Sequence, residues 1–231
     1  MTDQPVFEAR YVERRSRLTT FFRYLLAIPH YIVLAVYGFA AFFAVVGAWF
    51  AIVFTGNYPP GLYSFVAGYA HYATAVYGYL ALLTDAYPPF GPDTDAYPVQ
   101  LRVPPAKAEY SRVKTLLRII FAIPVLIITY AMQIVWELGT FIAWFAVVVL
   151  GKQPRGLQDM IVLGLSYQQR AACYLLLLTE DWPPFLDPAG GSIEGPAGGS
   201  GLPPAPATQA PPAAPEAPTA GGLSSGDPLQ G

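Results

Sequence analysis

From Tyr24 to Thr84 the chain contains no Asp, Glu, Lys or Arg. About 20 apolar residues cross the hydrocarbon core of a bilayer, so this one stretch has room for two spans. The rest of the composition agrees: 54% of residues are hydrophobic and only 12% are charged, against about 25% charged in soluble chains. These features exclude a large soluble core and point to a membrane. All thirteen Lys and Arg lie at or before Arg170, and the chain beyond is acidic, which argues against a nucleic-acid surface. The single Cys173 excludes an internal disulfide and leaves too few thiols for a Cys-rich zinc site.

The chain is also an internal duplication. Shifted by 95 residues, Ser16–Phe90 aligns on Ser111–Phe185 without a gap, with 26 identities in 75 pairs, a self-similarity that marks a repeat architecture. The matches include Ala27-Ile28-Pro29 with Ala122-Ile123-Pro124, Ala48-Trp49-Phe50 with Ala143-Trp144-Phe145, and Pro88-Pro89-Phe90 with Pro183-Pro184-Phe185.

Each repeat opens on a basic segment with apolar residues at helical spacing: Leu18, Phe21, Phe22, Leu25 and Leu26, then Val113, Leu116, Leu117, Ile120 and Phe121. Arg14, Arg15, Arg17 and Arg23 accompany the first stripe and Arg112, Lys114 and Arg118 the second. Such a segment fits an interfacial helix whose basic residues contact lipid headgroups; the alternative is that it extends the next span. Pro29 and Pro124 are placed to start a new helix. The expected spans are 30–54 and 62–84 in the first repeat (16–90), and 125–150 and 157–179 in the second (111–185), after an N-terminal segment 1–15 and separated by a linker 91–110. The expected fold class is therefore an all-α membrane protein of two tandem helical hairpins, four spans in all, preceded by basic interfacial helices. Ten Lys or Arg on one side against two (Lys152, Arg155) on the other predict both termini in the cytoplasm. Two spans per repeat would make the copies parallel, related by an axis along the membrane normal. Residues 186–231, rich in Pro, Gly and Ala, are expected to be a disordered tail.

Leu25-Leu26-Ala27-Ile28-Pro29-His30-Tyr31, Ala48-Trp49-Phe50, Phe54-Thr55-Gly56 and Leu83-Thr84-Asp85-x-Tyr87-Pro88-Pro89-Phe90 resemble the bacterial membrane family DUF4389, found in actinobacteria and sometimes as tandem copies. The second copy departs from the pattern at Val125, Arg155 and Glu180-Asp181-Trp182. The resemblance implies a multi-pass protein of the bacterial plasma membrane and carries no activity or site residues with it.

Ionisable groups within a span are costly and are functional candidates by default. Here they are Glu137, Arg170 and His71. In an antiparallel hairpin Glu137 and Arg170 fall at equal depth, so an ion pair across the second hairpin is expected, extended by Gln133, Gln168 and Gln169, acting either as a structural clasp or in a proton or substrate pathway. Glu137 and Arg170 are replaced by Phe42 and Ala75 in the first copy. His71 is expected to pack as a neutral histidine, and His30 to meet headgroups. No G-x-S-x-G, Walker loop, H-E-x-x-H or G-x-G-x-x-G occurs, so neither enzyme activity nor a cofactor is expected. The expected function is a membrane scaffold or accessory subunit binding anionic inner-leaflet lipids and other membrane proteins, or itself. The alternative is a small oligomeric transporter or channel with a polar path through Glu137, Arg170 and His71.

Overall fold

The computed structural model describes residues 4–10 and 14–185; the expected disordered tail lies outside them. The elements, in order, are β1 (Val6–Ala9), α1 (Arg17–Thr55), α2 (Pro60–Leu80), β2 (Val99–Arg102), α3 (Arg112–Leu150) and α4 (Arg155–Leu175). The duplication is visible in the element lengths: α1 and α3 have 39 residues each, α2 and α4 21 each. Among the described residues, α1 and α3 are long and apolar enough to cross a membrane.

Both long helices begin and end in the same way. Ser16 and Ser111 are the N-caps, their hydroxyls accepting from Thr19 N and Lys114 N, which satisfies an amide that the first turn leaves free. Gly56 and Gly151 close the helices at φ 79° and 72°, a left-handed conformation that a side chain would strain. The expected break at Pro29 and Pro124 does not occur, because both prolines lie inside continuous helices. A proline there removes one backbone hydrogen bond and crowds the preceding turn. Tertiary contacts on both sides override that cost: Arg23 and His30 flank Pro29, and Arg118 and Val125 flank Pro124, and all four are buried.

The copies are not parallel. Arg15 N donates to Gly151 O (3.2 Å) and Tyr110 N to Gly56 O (2.8 Å), so each long helix starts where the other ends. Trp49 Nε1 donates to Thr115 O, and Trp144 Nε1 to Thr20 O, both at 3.1 Å. These two pairs are the same pair with the copies exchanged. The shorter helices obey the same pseudo-twofold: Thr74 Oγ1 donates to Gln169 Oε1 (3.0 Å), and 74 and 169 are equivalent positions in the duplication. The expectation of parallel copies fails because the connection 81–111 is not a short same-side loop. It runs from the α2 end beside the start of α1, through β2, to the far end of α1 at Gly56.

On that path β2 pairs antiparallel with β1, Phe7 opposite Leu101 and Glu8 opposite Gln100, a small sheet that the sequence pattern did not indicate. Val99 of β2 packs against Gly78 of α2, where a Cβ would meet it at 2.6 Å. The helices α2 and α4 form the centre and are mostly buried. By contrast α1 and α3 bury one narrow stripe each, Ala27, Leu34, Ala41, Ala48 and Ile52 in α1, and expose Phe, Leu, Ile and Val over most of their surface.

Cys173 lies in this centre, fully buried. It is expected to resist a maleimide in the folded protein and to react once the chain is unfolded, a contrast that mass spectrometry reads directly and that serves as an assay of folding.

Candidate functional site

The most elaborate polar construction in the described chain is built twice. Arg23 is fully buried, with its guanidinium 4.4 Å above the Tyr79 ring. It donates to the Tyr79 carbonyl, to Thr84 O at 2.7 Å and to Asp85 Oδ1 at 2.6 Å. In the second copy Arg118 lies 4.3 Å above Tyr174 and donates to Tyr174 O (2.6 Å) and Thr179 O (2.8 Å). Each arginine thus ties the start of a long helix to the end of the short one. The planar five-donor fork of arginine suits this task, since it stacks on an aromatic ring while serving several acceptors in its plane.

The chain end held by the fork is itself strained. Leu82 and Leu177, two residues before the threonines, have φ 60° and 64°, unusual for a branched apolar side chain. Their neighbours close the helix by donating back, Leu83 N to Gly78 O and Leu178 N to Cys173 O. Acids complete the arrangement: Asp85 accepts from Ser16 N (2.9 Å) and Glu180 from Ser111 N (2.6 Å). The copies differ in where the acid's charge goes, to Arg23 in the first and to Lys107 (3.3 Å) in the second. Beside the first fork the Tyr97 hydroxyl donates to Ala86 O (2.8 Å), and burial pushes this phenol above its ordinary range against the opposing pull of the Arg23 charge.

Three of the seven expected headgroup contacts are therefore internal. Arg23 and Arg118 are the forks, and Arg15 is buried with hydrogen bonds to Leu83 O, Gln153 and Gln158. Helical spacing places Arg23 and Arg118 on the narrow stripe that faces α2 or α4, and Arg15 precedes the N-cap Ser16; basic character alone gives no warning of burial at any of the three. Arg14, Arg17, Arg112 and Lys114 are exposed. Arg17 Nε lies 3.0 Å from where a Cβ on Gly151 would stand, and Arg112 Nε 3.5 Å from the same point on Gly56. Neither long helix has a basic residue in its own last turn. The other copy supplies a cation to the negative end of the helix dipole.

The expected Glu137–Arg170 ion pair is not formed. Glu137 accepts from Gln133 Nε2 (2.7 Å), whereas buried Arg170 donates to Ser166 Oγ and Phe185 O. Neither depth nor face matches the expectation: Gly139 packs on Ile161 and Gly164 on Trp136, which puts Glu137 about two turns from Arg170 along α4, and the side chains that hydrogen-bond across α3 and α4 are Trp136 and Gln168, at 2.5 Å. Gln169 turns to Thr74 of α2 instead. His71 is half-buried on α2 and, among the described residues, makes no hydrogen bond to these groups. His30, expected at headgroups, is buried, with Nδ1 2.7 Å from the Tyr72 hydroxyl and its ring stacked on Phe90 at 4.2 Å. The polar residues thus do not converge on one path. Among the described residues no group of His, Cys, Asp and Glu could hold a metal ion.

Sequence reasoning missed the forks, although the alignment of the copies carried the signal. Arg23 and Arg118, Tyr79 and Tyr174, Thr84 and Thr179 are all identities, and identities in a diverged duplication that are neither turn formers nor apolar mark shared internal contacts.

Searches of curated proteins and of solved structures return no match. The family model described as a domain of unknown function, DUF4389, matches residues 17–91 and again 112–187. Each match starts at the first residue of a long helix and runs past the fork that anchors it, so that the fork is part of what the two copies share. On these two matches, which together cover more than half of its length, the chain belongs to the DUF4389 family as a tandem pair of domains.

Proposed function

We propose that the protein is an integral membrane scaffold or accessory subunit of the bacterial plasma membrane that lies along the bilayer rather than crossing it four times. The supporting observation is the antiparallel pairing of α1 and α3 about the pseudo-twofold. If the helices stood upright, the connection from α2 to α3 would also have to traverse the membrane. It carries Asp85, Asp93, Asp95, Arg102, Lys107 and Glu109, much of it in irregular backbone, and hydrocarbon tolerates neither unless protein encloses them. Length argues the same way, because 39 residues of helix extend about 58 Å, roughly twice the thickness of the hydrocarbon core.

With the helices in the membrane plane the layers sort themselves. The exposed apolar surfaces of α1 and α3 enter the lipid, α2 and α4 lie above them, and the sheet with the connection faces water. Arg14 and Arg17 at one end, Arg112 and Lys114 at the other, then stand at headgroup level, where each basic residue contributes about 1 kcal/mol of attraction to an anionic leaflet. A broad apolar surface of this kind is a docking surface for lipids or for other membrane proteins.

Capture of the tagged full chain in native nanodiscs, followed by mass spectrometry of protein and lipid, tests this reading. Stoichiometric recovery of another membrane protein, or enrichment of anionic lipid that Arg17→Glu with Arg112→Glu abolishes, is the expected result. Recovery of the chain alone with bulk lipid contradicts it.

A further inference from the structure

We infer that the cleft between α1 and α3 is a binding site for an organic ammonium group, the headgroup of an amine-bearing amphiphile or a free ammonium ion. This inference stands on the geometry of the cleft and holds whichever way the helices lie in the membrane. The cleft has a volume of about 750 Å³, within the usual range of small-molecule sites. Tyr24 and Tyr31 of α1 form one wall, Gln133, Trp136 and Glu137 of α3 the other, and Tyr77 of α2 part of the floor.

The chemistry of the lining selects the ligand. Glu137 is exposed in the cleft, accepts one hydrogen bond from Gln133 and meets no cation among the described residues. Tyr24, Tyr31 and Tyr77 line the same cleft. A carboxylate among aromatic rings attracts a cation both by charge and by the ring quadrupoles, and alkylated ammonium groups profit most because they also shed water readily. A carboxylate that meets no cation on a helix surface dominated by apolar residues is costly, and a ligand cation lowers that cost.

The duplication shows that the fold does not require this lining. At the equivalent places the other copy has Phe42 for Glu137, Gly38 for Gln133, Ala41 for Trp136, Ile119 for Tyr24, Leu126 for Tyr31 and Ala172 for Tyr77. Every one of the six polar or aromatic groups is absent there, while the fork, the caps and the helix lengths are kept. The cleft is thus a feature added to one half of a symmetric frame.

The test is saturation binding of radiolabelled dodecyltrimethylammonium and tetramethylammonium to the immobilised full chain in a neutral detergent, with dodecyl sulfate as competitor. One-to-one binding that dodecyl sulfate does not displace is expected, weakened about tenfold by Glu137→Gln and about threefold by Tyr31→Leu, the residue already present in the other copy. Binding of the long-chain probe alone identifies an amphiphile site, and equal binding of tetramethylammonium identifies a site for the free ion. Protection of Cys173 from maleimide verifies that each variant is folded. Affinity unchanged in both folded variants, or equal competition by dodecyl sulfate, overturns the inference.

Discussion

Arg23→Met is expected to destabilise the protein by about 3–5 kcal/mol, the range for removing one partner of a buried charged group. The substitution keeps the apolar stem and removes the fork. The carbonyls of Tyr79 and Thr84 lose the guanidinium and Asp85 its cation, while the left-handed Leu82 is left with only its backbone hydrogen bonds to hold the turn. Arg118→Met should have a comparable effect through Tyr174 and Thr179. Arg23→Lys should recover little of the loss, because a single ammonium cannot stack on Tyr79 and serve three acceptors in one plane. Asp85 is partly exposed, its side chain at 29%, so Asp85→Asn should cost far less. Combining it with Arg23→Met should cost less than the sum, since the two residues share one network. Denaturant unfolding in mild detergent, followed by circular dichroism and by maleimide reactivity of Cys173, measures all of these. A loss below about 1 kcal/mol for Arg23→Met would mean that the fork is ornamental.

Gly164→Leu is expected to be the most damaging change at a glycine. A Cβ at this position would stand 2.6 Å from Met132 O and 3.0 Å from Trp136 N, and backbone cannot swing aside as a flexible side chain can. The helices α3 and α4 must separate locally, which breaks the Trp136–Gln168 hydrogen bond and opens the wall of the cleft between α1 and α3. Overpacking costs typically 1–3 kcal/mol, and here the clash is with two backbone atoms. Gly61→Ala is the matched control: nothing lies within 4 Å of its added Cβ, and near the start of α2 an alanine should be neutral or stabilise by up to about 1 kcal/mol. Comparing the two by thermal unfolding separates close helix packing from the general effect of losing a glycine.

The repeat, the four helices and their turns were legible in the sequence because they rest on local signals. Gly56 and Gly151 end helices by backbone conformation, Pro59 and Pro154 precede new ones, and the 3.6-residue spacing of apolar residues requires no knowledge of the partner. What was illegible rests on pairing between distant segments. The antiparallel relation of the copies is set by contacts such as Arg15 to Gly151 and Tyr110 to Gly56, 136 and 54 residues apart in sequence, and a hairpin-by-hairpin count of spans gives the opposite answer. Pro29 illustrates the same limit: its local preference to begin a helix is real, yet buried neighbours on either side carry α1 through it. The basic residues divide by face rather than by charge, Arg23 and Arg118 inward, Arg17 and Arg112 outward. Glu137 and Arg170 show that counting outward from the turn misplaces depth, because α3 and α4 pack in another register, Gly139 on Ile161 and Gly164 on Trp136.

The central claim is that both ends of each long helix lie on the same side of the membrane, and single cysteines at Arg14 and Asn57, at the two ends of α1, address it most directly. Both residues are exposed, Arg14 just before α1 and Asn57 in the turn after it, and the native Cys173 is buried. Labelling with a membrane-impermeant maleimide in right-side-out and in inverted vesicles gives the side of each. Helices lying in the membrane plane predict that Arg14 and Asn57 react from the same side, in the same vesicle preparation. Reaction from opposite sides would mean that α1 and α2 cross the bilayer as a hairpin, and would contradict the account.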